Sequence, residues 1–124
     1  MSKYPTQNLR TVAFVGHGGS GKTSLIEAML MRAGAISECG SVDKGTTVCD
    51  SDPQEKQVGY SLRLAVAHMD TDKLGLDPVR IHVLDTPGYP DYIGQSLPAL
   101  DAVKSAVIVV DATKGVELMT ERMM

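Results

Sequence analysis

Gly16-His17-Gly18-Gly19-Ser20-Gly21-Lys22-Thr23 sets glycines, one lysine and one hydroxyl in the pattern G-x-x-x-x-G-K-[ST]. That spacing suits phosphate. Glycines let the chain curl until consecutive peptide N–H groups face one anion. A helix starting near Lys22 aims the positive end of its dipole at the same point. The Lys22 ammonium is expected to reach the terminal phosphates of a nucleotide, and the Thr23 hydroxyl to bind Mg2+. The expected phosphate-binding stretch is His17, Gly18, Gly19, Ser20, Gly21, Lys22, Thr23 and Ser24, with His17 at a variable position of the pattern. The plain alternative is a glycine-rich turn that binds nothing, and the strand-before, helix-after context counts against it.

A second constellation, Asp85-Thr86-Pro87-Gly88-Tyr89-Pro90-Asp91, follows the apolar run Ile81–Leu84. An acid at the tip of a buried strand beside a phosphate loop is placed to hold Mg2+ through water. The Pro87-Gly88 bend would offer the Gly88 N–H to a γ-phosphate, and loss of that phosphate would release the segment behind it. Taken alone, D-T-P-G is also an ordinary strand exit.

These groups need elements to hold them. Thr11–Gly16 reads as a buried strand. Leu25, Ile26, Met29 and Leu30 recur at helical period from Lys22 until Gly34 stops them. From Ala35 to Gly59 no period is sustained, which predicts a long functional loop without an element of its own. Ser61–His68 alternates as a half-buried strand, Asp70–Pro78 connects, and Val79–Asp85 returns as the second strand of a hairpin. Tyr92–Val103 has helical length and apolar content, with Pro98 expected to kink or split it. Ser105–Ala112 reads as a continuous strand of the kind parallel sheets bury on both faces. Glu117–Met124 begins another helix. The alternation predicts an open α/β sheet with helices on both faces, without internal repeats or low-complexity segments.

At 124 residues, 43% apolar and a formal net charge of −3, the chain has material for one ordinary core. Its Lys and Arg residues are dispersed, so neither a nucleic-acid surface nor a membrane surface is expected. Ala106–Val110 is the longest apolar run, far short of a membrane span. Met1–Arg10 has no signal-peptide pattern, so Cys39 and Cys49 read as reduced thiols and the location as cytoplasmic.

Together, "GHGGSGKTSLIEAML", "GTTVCDSDPQEKQVGYSL", "DTPGYPDYIG" and "SAVIVVDATKGVE" resemble the start of a translational GTPase of the elongation factor G and elongation factor G-like family. The resemblance runs from about Leu9 to Met124, nearly the whole chain. It implies a Ras-like P-loop GTPase fold, α/β and mostly parallel with one antiparallel hairpin strand. It also implies GTP or GDP with Mg2+ as ligands and, for the full-length parent, the ribosome as partner. By the same resemblance Ala35–Gly59 is switch I, with Gly59-Tyr60-Ser61 in the place of the family's G-I-T. Ser61 would then join Thr23 and Asp85 around the metal, while Asp85–Gly88 opens switch II.

The sequence departs from the family at several points. Tyr89 stands where elongation factor G has the histidine that positions the attacking water. A phenol is a poor substitute for an imidazole in orienting water or relaying a proton, so little or no GTPase activity is expected of this chain. Gly19 replaces the usual aspartate and Ser61 the usual threonine. The base-reading N-K-x-D motif is missing, since Asn8 is the lone asparagine. Residues 1–124 therefore read as a single incomplete domain, the phosphate half of a G domain, with one sheet edge and apolar helix faces uncovered. A non-catalytic phosphate or nucleotide binder is the alternative from a different class. An unrelated P-loop ATPase or kinase is a third reading, disfavoured by the long "GTTVCDSDP…VGYSL" loop.

Other residues receive bland readings. His68 and His82 pack or face solvent, Asp111 forms a turn, and the seven methionines, mainly on helical patterns, serve core or interface packing. Nothing lowers the pKa of Cys49, and Asp43, Asp50, Asp52 and Glu55 make a solvated loop face.

Overall fold

Strand β1, Leu9–Val15, lies inside a four-stranded sheet of order β2-β3-β1-β4, with β2 spanning Ala65–Asp70, β3 Arg80–Asp85 and β4 Ser105–Ile108. The computed structural model describes residues 4–124. β1 pairs in parallel with β3 and β4, and β2 pairs antiparallel with β3, as the hairpin reading expects. Side chains alternate along β1, so its two faces feed two cores. Phe14 joins Ile26, Leu30, Ala67, Met69 and Val83, whereas Ala13 and Val15 join Leu84, Ala99, Met119 and Met123. Helix α1 (Lys22–Arg32) covers the first face, and α3 (Ile93–Asp101) with α4 (Leu118–Met123) covers the second. This is the mostly parallel α/β sheet with helices on both faces that the alternation predicts.

The buried face of α1 carries an acid. Glu27 is fully buried between Ile26 and Leu30. Its carboxylate accepts the Gly40 N–H at 3.0 Å and the Val48 N–H, so the helix grips the long loop at two points. Burying a carboxylate is tolerated when donors surround it.

That loop holds an element the sequence reading missed. Helix α2 runs Pro53–Val58 behind a capping box: Asp52 accepts the Gln54 N–H at 2.9 Å, and Glu55 accepts the Asp52 N–H at 3.2 Å. D-P-x-E is a start signal for a helix, and here it opens a single short one. Glu55 also corrects the reading of the loop acids as a solvated face. It is buried, and one of its oxygens accepts the Leu62 and Arg63 N–H groups at 2.9 and 3.0 Å. Those bonds explain why β2 begins at Ala65 and not at Ser61. The peptide donors of Leu62 and Arg63 serve a carboxylate, and that of Leu64 serves Gln95 Oε1 at 2.9 Å. Glu55→Ala removes the cap acceptor and strands these donors. We expect a loss of about 2 kcal/mol in urea unfolding, with a larger rise in amide exchange at Leu62 and Arg63 than in β1.

Two further expectations change. α3 runs unbroken through Pro98, which is exposed and forfeits only its own N–H bond late in a short helix. β4 is four residues long and exposed throughout, not a strand buried on both faces. It has one neighbour, β1, and so lies at the sheet edge, with Val107 and Ile108 about 40% exposed (38% and 42%). Met119 and Met123 are buried and Met29 packs against the first core, whereas Met31 and Met124 face solvent. Among the described residues both cysteines are free, and no helix is long and apolar enough to cross a membrane.

Candidate functional site

The phosphate-loop residues leave β1 at Val15 and enter α1 at Lys22. Gly19 and Gly21 take left-handed φ values of 79° and 93°, which a side chain would strain. The Lys22 ammonium is buried and donates to the Gly16 and His17 carbonyls, each at 2.9 Å. Burial lowers its pKa, and the charge of Asp85 works against that shift.

The register of β1 against β3 carries Asp85 to the same end of the sheet, opposite Phe14. Thr23 Oγ1 donates to Asp85 Oδ2 at 2.6 Å, and Ser61 Oγ lies 3.3 Å from Thr23 Oγ1. Ser61 in turn donates to Asp50 Oδ1 at 2.6 Å, and Thr47 donates to Asp50 Oδ2 at 2.9 Å. Asp50 is a site residue the sequence reading missed. It is buried, not part of a solvated face, because Thr47 and Ser61 fold over it. Asp43 does face solvent, and Asp52 serves as the cap described above. Burial raises the pKa of Asp85 to about 6; the Thr23 hydroxyl and Lys22 oppose the shift and Asp50 adds to it. The Asp85 Oδ1 atom is buried without a partner. Burial pushes the Cys49 thiol pKa well up, and the nearby Asp85 and Asp50 charges add to the shift, so it is no nucleophile.

The turn after β3 closes the site from the other side. Thr86 Oγ1 donates to the Phe14 carbonyl at 2.7 Å, and the Gly18 N–H donates to the Gly88 carbonyl at 2.7 Å. Gly88 sits so near the loop that a Cβ would lie 2.5 Å from both Gly18 N and Lys22 Nζ. Tyr89 packs over Gly18 and meets the Tyr60 ring at 4.5 Å between centroids.

The result is a cleft of about 240 Å³ lined by Gly18, Gly19, Gly21, Lys22, Thr23, Ser24, Ser61, Gly88 and Tyr89, among others. The fold thus gathers most of the sequence-derived site. Asp85 stands just behind the cleft wall, bonded to Thr23. His17 and Ser20 are not brought to the cleft wall. The His17 N–H donates to Thr120 Oγ1 at 3.2 Å and its ring faces Glu117 at 3.6 Å, which ties the loop to α4. The Ser20 hydroxyl is buried and unpartnered. His68 and His82 face each other across the hairpin, and Asp111 accepts from Thr113 in a turn.

Residues 7–124 match the family profile described as the elongation factor Tu GTP binding domain. This chain belongs to that family. An elongation factor G-like protein of Mycobacterium tuberculosis is 42% identical over 121 residues, which cover 94% of this chain and 16% of that protein. A mitochondrial ribosome-releasing factor 2 of Kluyveromyces lactis is 31% identical over 121 residues, 98% of this chain and 15% of its own length. A Thermus thermophilus crystal structure superposes with a TM-score of 0.84 at 42% identity, covering 91% of this chain and 16% of that one. The chain therefore spans about one sixth of the relatives it matches. The family and the elongation factor G-like relatives bear out the translational GTPase resemblance, and guanine-nucleotide binding is the family's property.

Proposed function

We propose that residues 18–24, with Ser61, Asp85 and Gly88, form the phosphate and Mg2+ site of this G-domain segment. In the full-length protein that site would couple GTP hydrolysis to a step on the ribosome. The observation that carries the site is the Asp85–Thr23–Ser61–Asp50 chain of oxygens beside a buried lysine in a glycine loop. Two hydroxyls and two carboxylates are a hard, all-oxygen donor set, and the partnerless Asp85 Oδ1 needs a cation or a water. The residues present fit Mg2+. Thr23 and Ser61 would ligate it directly, and Asp85 and Asp50 through water. When bound, the metal would neutralise charge on the β- and γ-phosphates.

The chain's own groups do the rest. The amides of Gly19, Gly21, Lys22, Thr23 and Ser24 would grip the diphosphate, while those of Gly18 and Ser20 brace the loop on the Gly88 and His17 carbonyls. The ammonium, two of whose three donors hold the loop carbonyls, would add its charge. The Gly88 N–H would meet the γ-phosphate. Tyr89, wedged between Gly18 and Tyr60, would exclude water more than activate it, so hydrolysis would be slow. The ribosomal role rests on the elongation factor G-like and ribosome-releasing relatives.

Calorimetric titration tests the site. GDP and GTP should bind with Mg2+ and far more weakly with chelator present. Equal affinity for GTP, ATP and pyrophosphate would favour a non-catalytic phosphate binder over a guanine-nucleotide domain.

A further inference from the structure

Ser96 lies on α3, outside every motif that marks the site, and is fully buried. Its hydroxyl donates to the Pro87 carbonyl at 2.9 Å. The consequence lies in the peptide that follows. Among the described residues all peptide bonds are trans, so the Pro87 C=O and the Gly88 N–H point in opposite directions. A carbonyl drawn toward α3 turns the Gly88 N–H away from α3, toward the loop against which Gly88 is packed.

The rest of the turn is tied down as well. Thr86 is fastened to the Phe14 carbonyl, and the Gly88 carbonyl accepts from Gly18. Among the described residues no acceptor takes the Gly88 N–H. One donor of this turn is thus left free, and a hydroxyl on a neighbouring helix sets its direction.

We propose that Ser96 is a positioning residue that locks the Pro87–Gly88 peptide in the orientation able to recognise a γ-phosphate, and so sets the preference for nucleoside triphosphate over diphosphate. This rests on the phosphate-site reading above. Without the Ser96 hydroxyl, the Pro87 carbonyl is buried with no partner and the peptide can turn over. The turned peptide presents an oxygen to an anion in place of a donor. A diphosphate does not extend to Gly88 and is indifferent to the change. A hydroxyl that merely satisfied a buried carbonyl would alter stability and affect both nucleotides alike.

The test compares the 124-residue chain with Ser96→Ala and Ser96→Cys, titrating GDP and the β,γ-imido analogue of GTP with Mg2+. Ser96→Ala should weaken the analogue about fivefold, the worth of one neutral hydrogen bond, and leave GDP within twofold. Ser96→Cys keeps the size and a weaker donor, and should shift the ratio less in the same direction. It carries the comparison if the alanine variant does not fold. An unchanged ratio in the folded variants, or an equal loss for both nucleotides, overturns the role of Ser96 while the phosphate site stands. If the unsubstituted chain binds neither nucleotide, both readings fall.

Discussion

Lys22→Ala is expected to weaken Mg2+-nucleotide binding by roughly 10- to 100-fold, the worth of a charge-assisted contact of about 1.5–3 kcal/mol. The ammonium is buried and fixed by the Gly16 and His17 carbonyls, so the substitution also strands two loop carbonyls that it now satisfies. Loop geometry and phosphate charge compensation should fail together. Isothermal calorimetry of the variant against GDP and GTP reads this directly. Binding as tight as in the unsubstituted chain would remove the phosphate-loop assignment.

Asp85→Asn should act in opposite directions on stability and on metal. Burial lifts the Asp85 pKa from 3.8 to about 6 in the metal-free protein. Its raised folded-state value means that the folded chain holds this proton after the unfolded chain has released it. Stability from this group is complete below about pH 4 and is lost as pH rises toward 6, by about 3 kcal/mol for two pH units. An amide carries no such charge and still accepts from Thr23. At pH 7 without Mg2+, the variant should therefore unfold at higher urea than the parent, by an amount approaching 2–3 kcal/mol. The gap should close at pH 4. The stabilisation that Mg2+ and GDP give the parent should be largely absent from the variant. A variant less stable than the parent at pH 7 without metal would show that the Asp85 charge is compensated within the fold.

The phosphate loop, its flanking strand and helix, and the Asp85 turn were legible because their signals are local. Glycine spacing, a helical apolar face from Ile26 to Leu30 and an apolar run ending in an acid are readable within a few residues. The acids of the long loop were not. Asp50 and Glu55 look like Asp43 in composition. The first two are buried because Ser61, Leu62 and Arg63 return over them and supply donors. Glu27 did leave a trace, as a charge on the buried stripe of α1, and an acid there asks for donors. Likewise Asp52-Pro53-Gln54-Glu55 carries a capping box, and the lack of an apolar period concealed the short helix it opens.

β4 shows the limit from the other side. "SAVIVV" fits a strand covered on both faces, and pattern alone is silent on how many neighbours a strand acquires. Here it acquires one and stays exposed. Ser96 had no signal whatever, because its importance comes from facing the Pro87 carbonyl across a buried gap.

By itself, then, the sequence determined an α/β nucleotide fold and the glycine loop here proposed to grip phosphate, since backbone freedom, dipole and charge are properties of adjoining residues. Only the tertiary structure decided which oxygens gather at the proposed metal position and which strand forms the edge. Thr23 and Asp85 are 62 residues apart in the chain and 2.6 Å apart in space, joined by the parallel register of β1 and β3. Burial, and with it the pKa of Asp85, belongs to that neighbourhood and to no stretch of sequence.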